Sequence, residues 1–329
     1  MKNKGGKVAI EILKTGLLTT VQDLGRFGFR KAGIISSGAM DSLALRLGNL
    51  LIGNDENEAG LECTLIGPEI KFHNETTISI VGGNLSPKLN GREAKMWSPL
   101  QIKAGDVLQF GRAVYGCRTY ICFSAGFAIE DVLGSKSTYL KAAFGGWKGR
   151  RFHKNDHIPL KKPIYTPLAN QNWLLGQSIY PRLNQNRIRV IKGPEFEWFA
   201  PQSLEKIETS CFSVGADSDR MGYRINSYRL ERKNPKELLS SAVTFGTVQV
   251  SNDGHLIILM ADHQTTGGYP RIFQVATVDF SILAQAQSGM EFSFEIITHD
   301  LARKLLIERE QEIKKLKQAL QLKFDINGA

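Results

Sequence analysis

Residues 262–270 place one carboxylate, one amide, two hydroxyls and one phenol around a Gly-Gly pair. They follow the apolar run 256–261, which predicts a buried strand. Reactive and ligand-binding groups gather where a rigid strand gives way to a loop, and glycines there let a backbone approach a ligand closely. A purely structural turn is the alternative, because polar Gly-rich segments are usually turns. We expect a functional loop with these candidate catalytic residues: Asp262, Gln264, Thr265, Thr266 and Tyr269.

A second group of polar residues surrounds the start of the first predicted helix. The chain reads TVQDLGR at 20–26 and SSGAMD at 36–41. Free backbone N–H groups at a helix start favour an anion, and Arg26 could add a forked donor. Ser37 and Asp41 also fit a structural role as a cap and as a complement to the helix dipole, and on their own they favour that role. Arg26, Ser37 and Asp41 are nevertheless candidates for binding a substrate or a phosphate.

A third group combines glycines with basic side chains. The chain reads LGSKSTY at 133–139 and GGWKGRR at 145–151. Such residues suit a carboxylate or a phosphate, so Lys148 and Arg151 are further binding candidates. The pattern GxxxxGK[ST] occurs nowhere in the chain, so any ATP is bound without a P-loop. The ring of Trp147 is either a stacking platform for a ligand or part of the packing.

A fourth group, DSDRMGYR at 217–224, supplies another arginine. Asp219 and Arg220 either pair structurally, or Arg220 grips a ligand carboxylate with its guanidinium fork. No GxSxG elbow, HExxH helix or Cys/His dyad with recognisable spacing accompanies these groups. The polar residues therefore predict anion-friendly sites but do not name a reaction.

His153 and His157 are four residues apart, with Asp156 between them. On a helix this spacing could hold a metal ion. Gly and Arg precede the pair and Ile-Pro follows it, which argues against a helix. We therefore expect surface histidines and no metal site at these positions.

The elements that must position these groups are mostly short strands. Stretches rich in β-branched or aromatic residues and bounded by Gly, Asn or Pro predict strands at 8–13, 77–81, 118–123 and 187–191. Asn90-Gly91 between short strands predicts a type I′ hairpin turn. The chain is therefore expected to be mainly β.

Two helices interrupt the strands. Apolar residues at helical spacing predict the first at 40–51, capped by Ser36 or Ser37 and ended by Gly53. The second runs from about 300 to 322, with leucines on one face and lysines on the remaining surface. Packing of this amphipathic helix on its own domain is favoured, and docking of a partner is the alternative.

The chain divides into two predicted β subdomains. We expect a polar tail at 1–7, a first subdomain at 8–160, a connecting segment at 161–186, a second subdomain at 187–299, and a C-terminal helix and tail at 300–329. The sequences GPEIKF and GPEFEW occur once in each half, which is a faint sign of two related domains. The connecting segment is rich in Pro, Asn and Gln.

Bulk composition indicates a soluble cytoplasmic protein. The 329 residues are enough for two domains, and no apolar stretch approaches the roughly 20 residues that span a bilayer. The net charge of +10 is dispersed, so an anionic substrate or acidic partner is favoured over nucleic acid. The N-terminus lacks a secretory apolar core. Cysteines without paired spacing predict buried reduced thiols: Cys63, Cys117, Cys122 and Cys211.

Six motifs in this order resemble a known family: TVQDLGR (20–26), SGAMD (37–41), LECTLIGPE (61–69), LGSKSTY (133–139), DSDRMGYR (217–224) and QTTGGYP (264–270). Together they are similar to the biotin-dependent carboxyltransferase-like family. That family includes the C subunit of 5-oxoprolinase, allophanate hydrolase subunit 2 and the KipI antagonist. The resemblance runs from about residue 8 to 299, and six ordered motifs are far more specific than any one of them.

The resemblance implies two tandem cyclophilin-like β-barrel subdomains with a few short helices and a C-terminal helix. It also implies two partners, which are the smaller KipI-like B subunit of 5-oxoprolinase and a LamB/YcsF-type A subunit. In that system 5-oxo-L-proline is opened to L-glutamate with ATP hydrolysis, which would make ATP, with Mg²⁺, the co-substrate of the complex. A regulatory protein that antagonises a KipI-type kinase inhibitor is the alternative of a different class.

Carboxyl transfer from carboxybiotin to a urea-like amide is a further alternative, since urea carboxylase contains a homologous region. The chain has no biotinylation sequence, so biotin would come from another protein. For the 5-oxoprolinase hypothesis, Asp262 is the predicted general base. Gln264, Thr265, Thr266 and Tyr269 would orient the oxyanion or the phosphoryl group. Arg26, Arg220 and the basic residues at 148–151 would receive the anionic substrate groups.

Overall fold

The computed structural model describes residues 8–162, 174–176, 179–233 and 237–328. The chain forms two compact units. The first lies within residues 1–26, 37–180 and 312–329, and the second within residues 27–36 and 181–311. Half of the expected connecting segment lies outside the described residues. The expected domain boundaries therefore remain a prediction.

The first unit consists mainly of two antiparallel sheets. Its strands are β1 (Val8–Lys14), β2 (Leu18–Gln22), β3 (Gly60–Thr64), β4 (Glu69–Phe72), β5 (Thr76–Asn84), β6 (Lys88–Leu89), β7 (Arg92–Glu93), β8 (Pro99–Ile102), β9 (Val107–Gln109), β10 (Tyr115–Phe123) and β11 (His157–Pro159). One sheet has the order β11-β1-β4-β9-β6-β7, and the other has the order β2-β3-β10-β5-β8.

The core of this unit follows from the period-2 alternation of its strands. In β1, Ile10 and Ile12 are fully buried, whereas Glu11 between them is only partly buried. The apolar faces of both sheets enter one cluster that includes Phe72 and Phe123, whose ring centroids are 6.3 Å apart. Because side chains of a strand point alternately to its two faces, the outer face of the β1 sheet keeps its polar residues near solvent.

The predicted hairpin turn is confirmed. β6 and β7 pair antiparallel around Asn90 and Gly91, with Lys88 opposite Glu93. Both turn residues have positive φ, 52° for Asn90 and 78° for Gly91, as a type I′ turn requires.

Helix α1 (Ser42–Leu51) also lies in this unit, where the spacing predicted it. The predicted serine cap is wrong: the Asp41 carboxylate accepts a hydrogen bond from Ala44 N at 3.1 Å and is the cap. Gly53 follows the helix with φ +75°, so the predicted stop is confirmed.

The second unit contains a closed seven-stranded barrel. The strands of the whole unit are β12 (Arg187–Lys192), β13 (Phe212–Val214), β14 (Gly222–Asn226), β15 (Ser241–Ala242), β16 (Thr247–Val250), β17 (Leu256–Leu259), β18 (Thr266–Gly267), β19 (Arg271–Val275) and β20 (Glu291–Ile296). The barrel order is β12-β19-β16-β17-β14-β13-β20, and parallel pairing of β12 with β20 closes it. The short strands β15 and β18 form a separate ladder.

Aromatic side chains fill the barrel. Phe294 lies 5.2 Å from Phe212, 5.3 Å from Phe292 and 5.4 Å from Phe273, measured between ring centroids. All four rings are buried. Offset and edge-to-face contacts of this kind add to the stabilisation from burial itself.

Besides short 3-10 turns, the described part of the chain has three further α-helices: α2 (Pro201–Thr209), α3 (Phe280–Ala284) and α4 (His299–Gly328). The last is longer than the predicted 300–322. Ile313 and Leu320 of α4 are buried, and Lys317 Nζ lies 3.1 Å from Glu56 Oε1 in the first unit, to which this half of the helix belongs. Packing on the chain's own domain, the favoured prediction, is confirmed for these residues.

The mainly β fold class is confirmed, and each of the four predicted strands overlaps an observed one. Cys63, Cys117 and Cys122 are buried free thiols as expected. Burial raises the pKa of Cys122 to about 12, so that thiol stays protonated. Cys211 is exposed, and the expectation of burial is wrong there because it precedes the first inward residue of β13.

No helix in the described ranges has the length and apolar character needed to cross a membrane.

Substitution of Gly48 by Ala tests how closely α1 packs on the five-stranded sheet. A Cβ at Gly48 would lie 2.8 Å from both Cys122 Sγ and Val81 Cγ2. Overpacking costs about 1–3 kcal/mol, against roughly 1 kcal/mol gained from helix propensity. We therefore expect Gly48→Ala to lower the free energy of unfolding in urea denaturation. In a Val81→Ala/Cys122→Ala background the loss should shrink, and a Gly48→Ala variant more stable than the wild type would contradict this packing.

Candidate functional site

The loop at residues 262–270 follows β17, as predicted, and begins three residues after the strand ends at Leu259. Its first backbone group is anchored to the neighbouring motif, because Asp262 N donates to the carbonyl of Arg220 at 2.7 Å. Just before it, Met260 N donates to the carbonyl of Met221 at 3.0 Å. The motif DSDRMGYR is therefore joined by backbone hydrogen bonds to the segment that leads into QTTGGYP, within the second unit.

The side chains of Arg220 and Asp262 form a buried bidentate ion pair. Arg220 Nε donates to Asp262 Oδ2 at 2.9 Å, and Arg220 Nη2 donates to Oδ1 at 3.0 Å. Only 6% of Arg220 and 4% of Asp262 is exposed. From the sequence we considered a structural pair between Arg220 and Asp219. In the structure the exposed Asp219 accepts hydrogen bonds from Met221 N and Gly222 N.

This pairing argues against the roles we expected for both residues. A general base needs a carboxylate oxygen directed at the reacting proton, and both oxygens of Asp262 already accept from Arg220. The fork of Arg220 is likewise directed at a carboxylate of the chain, not of a ligand. In this geometry the ion pair holds the start of the loop in place.

His263, which was not among the sequence candidates, has the more suitable environment for proton transfer. It is 6% exposed, and its Nδ1 lies 2.6 Å from the carbonyl oxygen of Gln264. Burial, and after it the positive charge of Arg30, lowers the pKa of His263, although the Gln264 carbonyl and Asp262 act in the opposite direction. The imidazole is therefore neutral at neutral pH; with Nδ1–H donating to Gln264, Nε2 carries the lone pair.

The other loop candidates differ in exposure. Gln264 and Thr265 are partly buried, whereas Thr266 and Tyr269 are exposed. The structure gathers them on one loop, so a ligand at this loop can meet an amide, two hydroxyls and a phenol.

A short ladder and one glycine fix the shape of the loop. β18 pairs with β15, with Gly267 opposite Ser241. Gln249 Nε2 donates to the carbonyl of Tyr269 at 3.2 Å. A Cβ at Gly267 would lie 2.6 Å from that same Nε2, so a larger residue there would displace the Gln249 amide.

Arg30 is a second residue that sequence reasoning missed. It precedes the barrel by more than a hundred residues but belongs to the same unit. Its Nη2 donates to the carbonyls of Val243 and, at 3.3 Å, Thr265. Arg30 therefore links the loop to Val243, the residue after β15, and brings a positive charge close to His263.

In the first unit, the motifs TVQDLGR and LGSKSTY meet around a carboxylate that was not a candidate. Asp23 is 4% exposed and accepts from Gly25 N at 2.8 Å, from Ser135 Oγ at 2.7 Å and from Ser137 Oγ. Its other oxygen accepts from Lys136 N at 2.6 Å. Four donors satisfy this buried charge, which therefore joins the two motifs structurally.

Arg26 belongs to the same junction. It is fully buried, Nε donates to the carbonyl of Val132 at 2.8 Å, and Nη2 donates to the carbonyl of Ser137 at 2.9 Å. Its guanidinium carbon lies 4.7 Å from the centre of the Phe144 ring. These contacts give Arg26 a structural role and do not favour the anion-binding role we expected.

Ser37 and Asp41 are also used within the fold. Ser37 Oγ donates to the carbonyl of Thr138 at 3.2 Å. Asp41 caps α1 through one oxygen and accepts from Tyr180 Oη at 2.5 Å through the other. A carboxylate thus already occupies the helix start where an anion was expected.

Lys148 and Arg151 are exposed, as an anion-binding role would need. Lys148 Nζ lies 5.1 Å from the centre of the Trp147 ring. That ring is partly buried and packs against the core of the first unit, which favours packing over ligand stacking.

His153 and His157 are exposed, and the prediction that they do not share a helix is confirmed, because His157 begins β11. The acidic residue between them pairs elsewhere: Asp156 accepts two hydrogen bonds from Arg150, each 2.7 Å long.

The six motifs therefore form two clusters. TVQDLGR, SGAMD, LECTLIGPE and LGSKSTY lie in the first unit, and DSDRMGYR and QTTGGYP lie in the second. Glu62 ties the third motif to the first cluster, since its Oε2 accepts from Met40 N at 2.8 Å and from Tyr120 Oη at 2.6 Å. A cavity of about 480 Å³ beside Ile191, Phe280 and Leu306 includes none of the candidate residues.

A closed β barrel and a two-sheet unit, each carrying such a motif cluster, define a class of carboxyltransferase-like domains. Residues 32–296 match the family described as carboxyltransferase domain, subdomain A and B. The chain belongs to this family, and the resemblance inferred from the six motifs is confirmed.

Two relatives are similar over nearly their whole length, and both are named as the C subunit of 5-oxoprolinase. The chain is 38% identical over 305 residues to the one from Haemophilus influenzae, covering 92% of this chain and 96% of the relative. It is 37% identical over 285 residues to the one from Escherichia coli, covering 87% of this chain and 90% of the relative.

Among solved structures, the urea amidolyase of K. lactis superposes with a TM-score of 0.88 at 28% identity. The match covers 95% of this chain but 20% of the amidolyase chain, so this chain spans about a fifth of that protein.

Breaking the Arg220–Asp262 pair should destabilise the fold. Asp262→Asn leaves a buried guanidinium without its charge partner, and we expect the free energy of unfolding to fall by about 3–5 kcal/mol. The double variant Arg220→Met/Asp262→Leu should regain most of that loss. Asp217→Asn, an exposed carboxylate of the same motif, is the matched control in urea denaturation. A loss no larger than that of the control would contradict the structural role.

His263 should make stability depend on pH. Its pKa is lowered in the folded chain, whereas an unfolded histidine titrates at about 6.5. Between those two pKa values the unfolded chain binds more protons, so the free energy of unfolding falls as pH decreases below about 6.5. His263→Gln should remove this part of the slope, and the exposed His255→Gln should not. Equal slopes for the wild type and His263→Gln between pH 5 and 8 would contradict the buried neutral state.

Proposed function

We propose that this chain is the C subunit of an ATP-dependent 5-oxoprolinase, which opens 5-oxo-L-proline to L-glutamate together with other subunits. The observation that carries the proposal is the length and identity of the match. Relatives named as the C subunit of 5-oxoprolinase correspond to this chain almost end to end at 37–38% identity. That name implies a complex, and we propose the KipI-like B subunit and the LamB/YcsF-type A subunit as partners.

Carboxyl transfer is the second candidate, favoured by the fold similarity to urea amidolyase. The match covers only a fifth of that protein, and biotin would have to come from a separate carrier. The 5-oxoprolinase proposal needs no such carrier, which is why it stands first.

Within this proposal, ATP activates the amide. A lactam resists hydrolysis, and transfer of the γ-phosphoryl group of ATP to its carbonyl oxygen, with ADP as the leaving group, makes the carbon electrophilic enough for water. Water attacks this carbon and gives up a proton, the C–N bond breaks as the nitrogen takes up a proton, and phosphate leaves. ATP, and Mg²⁺ with it, is the co-substrate of the complex. The free buried thiols of Cys63, Cys117 and Cys122 suit a reducing compartment such as the cytoplasm.

We assign the general-base role to His263 instead of Asp262. A base at neutral pH must be unprotonated and must offer a lone pair. His263 meets both conditions, because burial lowers its pKa and the Gln264 carbonyl engages Nδ1. Asp262 then acts as a positioning residue through Arg220.

The neighbouring groups supply orientation. The hydroxyls of Thr265 and Thr266, the amide of Gln264 and the phenol of Tyr269 can donate hydrogen bonds to the developing oxyanion or the phosphoryl group. In the first unit, Lys148 and Arg151 are exposed cations that can receive an anionic partner or substrate. We do not propose this role for Arg26, because its guanidinium donates to backbone carbonyls.

Reconstitution tests the proposed function. The purified chain is combined with the KipI-like and LamB/YcsF-type subunits, 5-oxo-L-proline, ATP and Mg²⁺, and glutamate is measured. We expect glutamate release that requires both this chain and ATP. No glutamate from the full mixture would contradict the proposal. Carboxylation of urea that depends on added biotin carrier protein and bicarbonate would support the second candidate instead.

His263→Gln should reduce glutamate turnover in the reconstituted complex by about a hundredfold or more, in line with the usual size of general acid–base contributions. His255→Gln is the matched control, because His255 is an exposed histidine of the same unit. Circular dichroism at the assay pH checks that both variants are folded. Turnover within a few fold of the wild type would remove His263 from the mechanism.

A further inference from the structure

We propose that Glu11, His73 and His157 form a binding site for a zinc-type divalent ion on the first unit. One ligand atom from each of the three side chains lies within 4.8 Å of those of the other two. The site lies outside all six motifs and does not depend on the proposed function. Two imidazoles and one carboxylate are a recurrent protein ligand set for zinc.

Strands β1 and β11 and the residue that follows β4 bring these side chains together on one face of a sheet. Glu11 of β1 lies directly opposite His157 of β11. His73 follows the last residue of β4, and its backbone N–H donates to the carbonyl of Ala9 at 2.9 Å. Since Ile10 and Ile12 point into the core, Glu11 points to the outer face. Directly opposed and diagonal residues on one face are within reach of long side chains.

The side chains are already close to a coordinating arrangement. His73 Nε2 lies 2.9 Å from Glu11 Oε2, and the His73 and His157 rings are stacked with centroids 6.2 Å apart. Zinc bonds of 2.0–2.1 Å place tetrahedral ligand atoms about 3.3 Å apart. Glu11 Oε2 and His73 Nε2 are close to that separation, and all three ligand atoms lie within 4.8 Å of one another, so small shifts of Glu11 and His73 toward the His157 ring complete the site.

The second histidine is also oriented as metal ligands usually are. Nδ1 of His157 lies 2.8 Å from the carbonyl oxygen of Asn155. Metal-binding histidines commonly donate their other ring N–H to a backbone carbonyl, which fixes the ring and leaves the second nitrogen for the ion. With Nδ1–H donating to Asn155, Nε2 is the ligand.

Imidazole and carboxylate ligands select zinc-type ions over Ca²⁺, which prefers six to eight oxygens. Three protein ligands leave the fourth position of zinc to water. Lys71 lies opposite Glu11 on β4 and adds a positive charge to the same face. That charge weakens cation binding, so the site is expected to release its ion to strong chelators.

A bound ion would hold together three neighbouring strands. β11 is the first strand in the order of its sheet, and its ladder partner among the described strands is β1. A metal that links β11, β1 and the end of β4 strengthens this edge, because an ion that binds only the folded chain stabilises it. We therefore expect the bound ion to stabilise this edge of the sheet.

The test uses the full-length, untagged chain after removal of metals with a chelator. Titration calorimetry with ZnCl2 is expected to show one ion per chain, and zinc should raise Tm. CaCl2 at the same concentrations should do neither. Absence of a single zinc site would overturn the proposal, and so would equal binding of calcium.

Variants locate the ion. Glu11→Gln, His73→Ala and His157→Ala are each expected to weaken zinc binding at least tenfold. His153→Ala is the matched control, since it removes an exposed histidine four residues from His157, and its affinity should be unchanged. Tm without metal shows that each variant is folded. Unchanged affinity in the three ligand variants, or an equal loss in His153→Ala, would place the ion elsewhere and overturn the proposal.

Discussion

The buried ion pair between Arg220 and Asp262 is the interaction on which the candidate site depends. Two charges have been removed from water, and their bidentate geometry makes this tolerable, with distances of 2.9 and 3.0 Å. The pair holds Asp262 in place at the start of the polar loop, and His263 is the next residue. A neutral imidazole held beside a paired carboxylate is therefore a consequence of the fold. The same pairing engages both oxygens of Asp262, which is why we propose His263 as the base instead.

Local patterns predicted much of the fold. Alternating apolar residues predicted the strands, Asn90-Gly91 predicted a hairpin, and helical spacing predicted α1. Each of these depends on residues close together in the chain. The cap of α1 was misassigned because Ser36, Ser37 and Asp41 all have side chains that can cap. Only the observed bond from Ala44 N to Asp41 decides between them.

The roles of the polar residues could not be predicted in the same way. Arg220 and Asp262 are 42 residues apart, and Arg26 meets carbonyls more than a hundred residues away. Residue type shows what a side chain can bind, whereas the fold decides what it does bind. In the first unit, Arg26, Ser37 and Asp41, which suggested anion binding, make contacts within the fold, and Asp23 there was missed. His263 lies in the polar stretch 262–270, but its burial and its contact with Gln264 were invisible in the sequence. The Glu11, His73 and His157 cluster was invisible for the same reason.

The pH dependence of kcat/KM for glutamate release tests most directly whether His263, and not Asp262, is the reacting base. An essential base produces an acidic limb in this profile. The wild type should show a limb below about 6.5, the ordinary histidine value. That limb should disappear from the residual activity of His263→Gln and persist in Arg220→Met/Asp262→Leu. A limb that persists in His263→Gln, or one that vanishes with the ion pair, would contradict this assignment.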